Sequence, residues 1–362
     1  MTHSLPSFRW IAACLAFTGL GLALAQNPYF EEFADEPLTV LQSGQERIFL
    51  GYDDGLVSIR YSQGGAVAEQ PVSPSLARNY RLTGQALEVM RNANDAMRGG
   101  SPGNALSALR ATVYPMIKYH PLPEEFEQLH RGIRLLLEAL IQAGELQEAR
   151  SILNRMELDQ LSLAYSGVAY QLASAYLQRE QTEQAAEIAR RIPMTGEFQP
   201  IVPSMVQLAE NLREAQKYET AIELYQAIVE NAGPELKPTA QLFLAYSMVL
   251  AERSSEAEDL IATLEEPGKD TRLFSLYKLL EGSLDYQAGN YGEALDTLTR
   301  GFVTAQTSFP WVPEMLFYIG ECYARAGDAQ AARNVWSEVI TLYPSSPWSE
   351  RAKTQREDLQ GV

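Results

Sequence analysis

Side chains capable of catalysis are scattered through this chain and form no recognised catalytic motif. The sequence has no Gly-x-Ser-x-Gly nucleophile turn, no phosphate-binding glycine loop and no His-Glu-x-x-His metal motif. The adjacent carboxylates Glu124–Glu125 and Glu265–Glu266 would point about 100° apart on a helix, so neither pair forms an acid–base couple by itself. We therefore predict that the protein is not an enzyme and has no catalytic residues.

The histidines and cysteines are too few for a metal site of the usual kind. The chain has three histidines and two cysteines, and one of each, His3 and Cys14, falls within the first 25 residues. The others, His120, His130 and Cys322, form no metal-ligand cluster, and one remaining cysteine cannot make an intramolecular disulfide. We predict no metal and no cofactor, and we expect Cys322 to pack as a small hydrophobic side chain.

The first 25 residues have the features of a secretory signal peptide. Arg9 precedes a 15-residue apolar run from Trp10 to Leu24, which is shorter than the ~20 residues that a membrane-spanning helix needs. Ala23-Leu24-Ala25 is a small-x-small cleavage site, so we predict a mature N-terminus at Gln26 and an exported protein of the periplasm or cell envelope. A retained membrane anchor is the rival interpretation. No later apolar run could span a bilayer, so we expect no transmembrane segment in the mature chain.

The net charge of the chain limits the classes of partner that it can bind. The formal net charge is −17, and removal of Arg9 with the leader makes it −18 for the chain from Gln26 onward. An acidic surface repels phosphate backbones, so we predict no nucleic-acid partner and instead a protein or peptide partner, among which basic ones are favoured. Alternatively, the acidity serves only to keep an exported protein soluble.

The strongest pattern in the chain is a repeat built around seven alanines. They are Ala105, Ala149, Ala185, Ala221, Ala257, Ala294 and Ala332. The gaps between them are 44, 36, 36, 36, 37 and 38 residues, and most follow a turn signal and one or two polar residues. A fixed period of this size indicates stacked helix pairs, because a two-helix unit cannot bury both of its faces alone.

The last unit, Glu314 to Pro344, shows the helix pair most clearly. The positions on its two helical stripes are Leu316, Ile319, Gly320 and Tyr323, then Ala332, Trp336 and Val339. We expect the helices to approach closely where Gly320 and Ala332 meet. The pattern resembles the tetratricopeptide repeat, with only Val339 off-type at a small position, and the first unit around Ala105 matches least well. The resemblance spans roughly residues 80 to 356. It implies an all-α, right-handed superhelical solenoid of about seven helix-turn-helix units.

The C-terminal end contains a turn motif that is more specific than the repeat pattern. A Tyr-Pro-x-Ser-Pro turn lies within Leu342 to Trp348 and is followed by Ala352. This turn resembles the ends of repeat units in bacterial cell-envelope proteins of the outer-membrane-assembly and Tol-Pal-associated type. The resemblance implies an envelope setting, and we expect a capping helix at about Trp348 to Leu359.

Residues 26–75 do not follow the repeat. Short β-favouring runs at Glu46–Tyr52, Leu56–Ser62 and Ala66–Val72 are separated by the turn signals Asp53-Asp54-Gly55 and Gln63-Gly64-Gly65. We predict a small antiparallel β-meander that docks on the first helices; an exposed edge that adds a partner's strand is the alternative. The predicted organisation is a signal peptide (1–25), an N-terminal arm and β element (26–75), and a solenoid with a C-terminal capping helix (76–362).

The predicted binding surface is the concave face, lined by the first helix of each unit. Its inward Arg and aromatic positions are Arg131, Arg134, Tyr170, Arg213, Tyr246, Tyr286, Phe317 and Arg325. Side chains of these types anchor protein interfaces. The predicted function is a non-catalytic protein–protein interaction scaffold in the bacterial cell envelope, which binds a protein or peptide in the concave groove. The alternative is a glycan-binding accessory subunit of cell-wall or polysaccharide-processing machinery, whose binding would depend little on salt.

Overall fold

The computed structural model describes residues 27–61 and 65–359. The predicted signal peptide, residues 1–25, lies outside this range, as do Ser62 of one predicted β run and Gln63 and Gly64 of the predicted turn that follows it. No helix in the described range is long and apolar enough to cross a membrane.

The chain begins with a short helix and an antiparallel sheet. The elements are α1 (Pro28–Phe33), β1 (Leu38–Gln42), β2 (Gln45–Asp53), β3 (Leu56–Tyr61), β4 (Val67–Pro71), α2 (Pro74–Ala77) and β5 (Tyr80–Leu82). The strand order is β4-β3-β2-β1-β5, with every neighbouring pair antiparallel. The predicted meander is confirmed as β2, β3 and β4. Sequence reasoning missed β1 and β5, and β5 carries the sheet past residue 75 to Leu82.

Two tight turns determine the register of the first three strands. Asp54 and Gly55, with φ of 41° and 78°, connect β2 to β3. Ser43 and Gly44, with φ of 52° and 81°, connect β1 to β2 in the same way. A two-residue hairpin turn of type I′ needs positive φ at both central positions, which glycine, asparagine and aspartate tolerate best. The Asp-Gly turn was therefore readable from the sequence, whereas the Ser-Gly turn is a weaker signal.

The remaining helices form seven consecutive pairs and a cap. The pairs are α3 (Gly84–Arg98) with α4 (Gly103–Ile117), α5 (Glu127–Ala143) with α6 (Leu146–Leu153), α7 (Leu163–Gln178) with α8 (Thr182–Ala189), α9 (Val202–Glu214) with α10 (Tyr218–Asn231), α11 (Lys237–Leu250) with α12 (Ser254–Ile261), α13 (Arg272–Gln287) with α14 (Tyr291–Thr304), and α15 (Val312–Arg325) with α16 (Ala329–Leu342). The capping helix α17 (Pro347–Asp358) follows. This arrangement confirms the all-α solenoid of about seven units.

The turn inside each pair has the same backbone conformation. A residue with positive φ lies five positions before each alanine of the repeat: Gly100, Gly144, Glu180, Gln216, Glu252, Gly289 and Gly327. A residue in this left-handed conformation ends a helix, because the backbone N–H groups at and after it can donate hydrogen bonds to the last carbonyls of the helix. Glycine adopts this conformation without a steric penalty. Three units use Glu or Gln there, which explains why a glycine-based turn signal is clear only in some units.

The repeat alanines lie at helix crossings inside the core. Six of the seven have no exposed surface, and only Ala105, in the weakest unit, is partly exposed. The expected partner of Gly320 was Ala332, whereas the atoms nearest to a Cβ added at Gly320 belong to the ring of Trp336. A Cβ added at Gly320 would lie 2.6 Å from Cδ1 of Trp336, and the Trp336 ring donates a hydrogen bond to the Phe317 carbonyl at 3.2 Å. The absence of a side chain at Gly320 therefore makes room for an indole.

The sheet packs on the link between α4 and α5. Phe49 and Tyr80 are fully buried, and their rings lie 5.4 Å from Tyr119 and 5.8 Å from Phe126 respectively. These aromatic contacts bury the inner face of the sheet, so the β element shares one core with the solenoid.

The N-terminal arm packs on the second helices of the first two units. Asn27 donates hydrogen bonds to the Tyr114 hydroxyl at 2.7 Å and to the Ser151 hydroxyl at 2.8 Å. Arg110 stacks on Tyr29 at 4.2 Å, and Arg155 stacks on the Phe30 ring at 3.8 Å. These contacts hold α1 in place, consistent with an arm that is ordered by contact with the helices.

Candidate functional site on the concave face

The eight predicted partner-binding residues all lie on first helices, as their phase in the repeat indicated. Arg131 and Arg134 are on α5, Tyr170 is on α7, and the others are distributed over α9, α11, α13 and α15. Three of them are buried within the protein: Arg213 is 5% exposed, Tyr246 3% and Phe317 7%. None of these three lines the three cavities described below, which corrects the expectation that every residue of the set can contact a partner.

The accessible residues of the N-terminal half line two cavities between neighbouring first helices. Arg131, with α3 residues that include Met90 and Asn94, lines a cavity of about 500 Å³. Tyr170, with Ile141 and other residues of α5 and α7, lines another of about 550 Å³. Arg134 does not join either lining, because it stacks on the Tyr165 ring at 5.3 Å.

In the C-terminal half, first helices that are not neighbours in sequence meet on the inside of the solenoid. The Tyr246 hydroxyl on α11 donates a hydrogen bond to Oε2 of Glu314 on α15 at 2.6 Å. The Arg213 guanidinium on α9 lies 4.8 Å from the centre of the Tyr246 ring. The curvature of the superhelix thus brings α9, α11 and α15 together around Tyr246.

Glu314 is the functional candidate that sequence reasoning missed. It is 1% exposed, although it lies in the first turn of a helix, where an acid is ordinarily a solvated group. A signal was present, since Trp311, Val312, Met315 and Leu316 surround it with apolar residues. Only the packing of α11 and α17 against α15 shows that this acid is enclosed.

Glu314 lies in the wall of a cavity of about 550 Å³ between α15, α17 and the ends of the earlier helices. The lining residues are Gln216, Tyr218, Val249, Leu250, Glu252, Ser254, Gln287, Glu314, Tyr318, Pro347, Trp348 and Arg351. The cavity therefore combines aromatic side chains with two carboxylates and one guanidinium. It is enclosed on one side by the capping helix, which contributes Trp348 and Arg351.

The aromatic wall of this cavity is a packed cluster. Tyr318 lies 5.6 Å from Trp348 and 5.3 Å from Tyr286, and Phe317 supports Trp348 from 5.1 Å. The Tyr286 hydroxyl donates a hydrogen bond to Glu321 at 2.8 Å. Two of the predicted residues, Tyr286 and Phe317, thus hold the cavity wall in place although neither lines it.

The electrostatics of the cavity centre on Glu314. Burial raises the pKa of its carboxyl to about 7, and the hydrogen bond from Tyr246 and the charges of Arg213 and Arg351 offset this only in part. Burial likewise raises the pKa of Tyr246 well above its usual value, so its hydroxyl stays protonated and remains a donor. A perturbed carboxyl group in a cavity is a feature that functional sites share.

The other residues considered for chemistry have structural surroundings. His130 is fully buried, with ring nitrogens 2.9 Å from the Leu122 carbonyl and 3.1 Å from the Tyr165 hydroxyl, and burial lowers its pKa. Cys322 is also buried, and burial raises the pKa of its thiol to about 11. Residues 27–61 and 65–359 contain no group of three or more His, Cys, Asp or Glu placed to hold a metal ion.

Family comparison agrees with the helix pairs. Residues 206–270 and 314–346 each match a family model described as tetratricopeptide repeat. These two segments carry tetratricopeptide repeats. The second match corresponds to the unit whose sequence pattern was clearest, and the first spans parts of two further units. Tetratricopeptide solenoids present extended concave surfaces that bind proteins, so the repeats indicate a protein–protein interaction scaffold. The finer likeness to outer-membrane-assembly and Tol-Pal-associated proteins stays a prediction.

Several solved structures are similar to this repeat protein. One is a tetratricopeptide repeat protein from Parabacteroides merdae, with 15% identity over 77% of this chain and 100% of that one, at a TM-score of 0.39. Another is the C-terminal part of a repeat-containing protein from Cytophaga hutchinsonii, with 11% identity over 73% and 98% of the chains and a TM-score of 0.41. A third is pilF of Pseudomonas aeruginosa, with 14% identity over 62% and 96% and a TM-score of 0.39. No curated protein sequence matches the chain.

Proposed function

We propose that this repeat protein is an exported scaffold of the bacterial cell envelope that holds a protein or peptide along its concave face. The observation that carries the proposal is a series of cavities to which the first helices contribute lining residues. Three cavities of about 500, 550 and 550 Å³ follow one another along α3 to α7 and then at α15 and α17. A segment lying along the groove would place successive side chains in them, as repeat solenoids bind extended partners.

Charge and chemistry support a protein partner that is basic. The net charge of −17 favours association with a cationic surface and disfavours nucleic acid. The predicted leader, Arg9 with the apolar run to Leu24, supports export, and the envelope-type turn near Pro344 supports the setting.

A crosslinking pull-down from native envelopes, with the mature repeat protein as bait, tests the groove. The test variant combines Arg131→Ala and Tyr170→Ala, which remove accessible side chains from both N-terminal cavities. The matched control combines Arg300→Ala on α14 with Tyr343→Ala at the end of α16, both on the side of the second helices. If these are anchor residues, the test variant should weaken capture by at least about 30-fold, since a single hot-spot truncation costs about 2 kcal/mol or more.

The results of the pull-down distinguish protein binding in the groove from glycan binding. Equal capture by the test and control variants, with native circular dichroism for both, would remove the groove as the binding surface. Capture of a glycan in place of a protein, with little dependence on salt, would favour the glycan-binding accessory function. When the full chain is expressed in cells, its recovery in the cytoplasmic fraction with Arg9 retained would contradict export.

A further inference from the structure

We propose that the cavity between α15 and α17 receives the basic side chain, lysine or arginine, of the bound protein segment, with the Glu314 carboxylate as its counter-ion. This inference rests on the proposed groove function and specifies one contact within it. The geometry is a cavity of about 550 Å³ whose wall includes the 1%-exposed Glu314 and three aromatic side chains, Tyr218, Tyr318 and Trp348.

The Glu314 carboxylate lacks a cation in direct contact. The hydrogen-bond donor to Glu314 is the neutral hydroxyl of Tyr246. Arg213 is near, but its guanidinium is 3.9 Å from both Glu210 and Glu214, so its charge is shared with other acids. A buried carboxylate without a paired cation is costly to maintain, and it is therefore a feature that a ligand charge would complete.

The other charged group in the cavity does not favour an anionic ligand to the same degree. Arg351 is exposed and stacks on the Trp348 ring at 4.5 Å, so solvent and the ring already stabilise its charge. Glu252, also exposed, adds a second carboxylate to the lining. The buried charge in the cavity wall is negative and only partly offset by Arg213 and Arg351, and aromatic faces suit an ammonium or guanidinium group.

Proton linkage follows from the same geometry. The titratable and charged groups that face Glu314 are Tyr246 on α11, Arg213 on α9, Tyr218 on α10, Tyr318 on α15 and Arg351 on α17. Burial raises the Glu314 pKa to about 7, and a bound cation favours the ionised form. Binding of a basic side chain should therefore strengthen as the pH rises through 7, by about tenfold between pH 6 and pH 8.

The experiment titrates three capped pentapeptides by calorimetry, with lysine, norleucine or glutamate at the centre of glycine and serine residues. The test variant of the protein is Glu314→Gln, which keeps the shape of the side chain and an acceptor for the Tyr246 hydroxyl. The control variant is Glu338→Gln, which removes an exposed charge on α16 outside the cavity. At pH 8, Glu314→Gln should weaken lysine-peptide binding at least tenfold, whereas Glu338→Gln should change it less than twofold. The pH dependence should disappear in Glu314→Gln.

The variant Tyr246→Phe tests the inference independently of Glu314→Gln. Tyr246→Phe removes the hydrogen bond to Glu314, so the midpoint of the pH dependence should move to higher pH. The inference is overturned if Glu314→Gln leaves lysine-peptide binding unchanged, if norleucine binds as well as lysine, if no peptide binds, or if the glutamate peptide binds best and more tightly at low pH. The groove function fails separately, in the pull-down with the Arg131 and Tyr170 variant.

Discussion

Replacement of Glu314 by glutamine should stabilise the C-terminal units at pH 8 and have little effect near pH 4. Glutamine has the same shape and can still accept the hydrogen bond from Tyr246, but it carries no charge. The variant therefore isolates the cost of holding an ionised carboxylate inside the protein.

The sign and size of the effect follow from the two pKa values of this carboxyl. In the unfolded chain the pKa has its ordinary value of 4.5, and in the folded chain burial raises it to about 7. The folded state holds the proton more tightly, so folding stability is lost as the pH rises from about 4.5 to about 7. Since one pH unit corresponds to about 1.4 kcal/mol, the full cost above pH 7 is about 3 kcal/mol.

Urea unfolding followed by tryptophan fluorescence measures this cost. Apart from Trp10 in the predicted leader, the tryptophans are Trp311, Trp336 and Trp348, so the signal reports on α15 to α17. The Glu314→Gln chain should gain about 2–3 kcal/mol over the wild type at pH 8 and less than about 0.5 kcal/mol at pH 4.

The control is Glu338→Gln on α16, which removes one exposed negative charge. It should shift stability by no more than about 0.5 kcal/mol at either pH. If Glu314→Gln and wild type unfold at the same urea concentration at pH 8, the protein already compensates the charge of the buried carboxylate. Glu314 would then have no unmet charge for a basic side chain to neutralise.

Four further outcomes are expected. In urea unfolding, Gly320→Ala should destabilise the last unit by about 1–3 kcal/mol, because its Cβ would overlap the Trp336 indole. The control Gly167→Ala, whose added Cβ meets no neighbouring atom within 4 Å, should be neutral or stabilising by up to about 1 kcal/mol. Tyr114→Phe should accelerate hydrogen exchange in α1, because the hydroxyl accepts the hydrogen bond from Asn27; unchanged exchange would contradict the described docking. Cys322 should react with a thiol reagent only after urea unfolding, since its thiol is buried with a pKa raised to about 11. Intact mass of the exported protein should correspond to a chain that begins at Gln26, and a mass that includes Arg9 would refute the cleavage site.

The sequence by itself determined the repeat architecture. The spacing of Ala149 to Ala332 and the turn five residues before each alanine are local features, because a helix and its following turn are specified by residues close together in the chain. Small residues at helix crossings then require that the two helices of a unit pack together. The Asp54-Gly55 hairpin was readable for the same reason, since two-residue turns are specified by the turn residues themselves.

Strands whose pairing is distant in sequence were not readable. β5 pairs with β1 through Leu82 and Val40, and neither strand carries a turn signal that points to the other. Their pairing depends on the sheet packing against the α4–α5 link, which is a property of the folded chain.

The accessible surface of the groove was likewise decided only by tertiary structure. Helical phase placed Arg213, Tyr246 and Phe317 on first helices, but their burial arises because superhelical curvature brings α9, α11, α15 and α17 into contact. The same contacts enclose Glu314, which in sequence is an ordinary acid in the first turn of a helix. Periodicity specifies which way a side chain points from its own helix, whereas its exposure depends on which other helices the curvature of the stack brings against it.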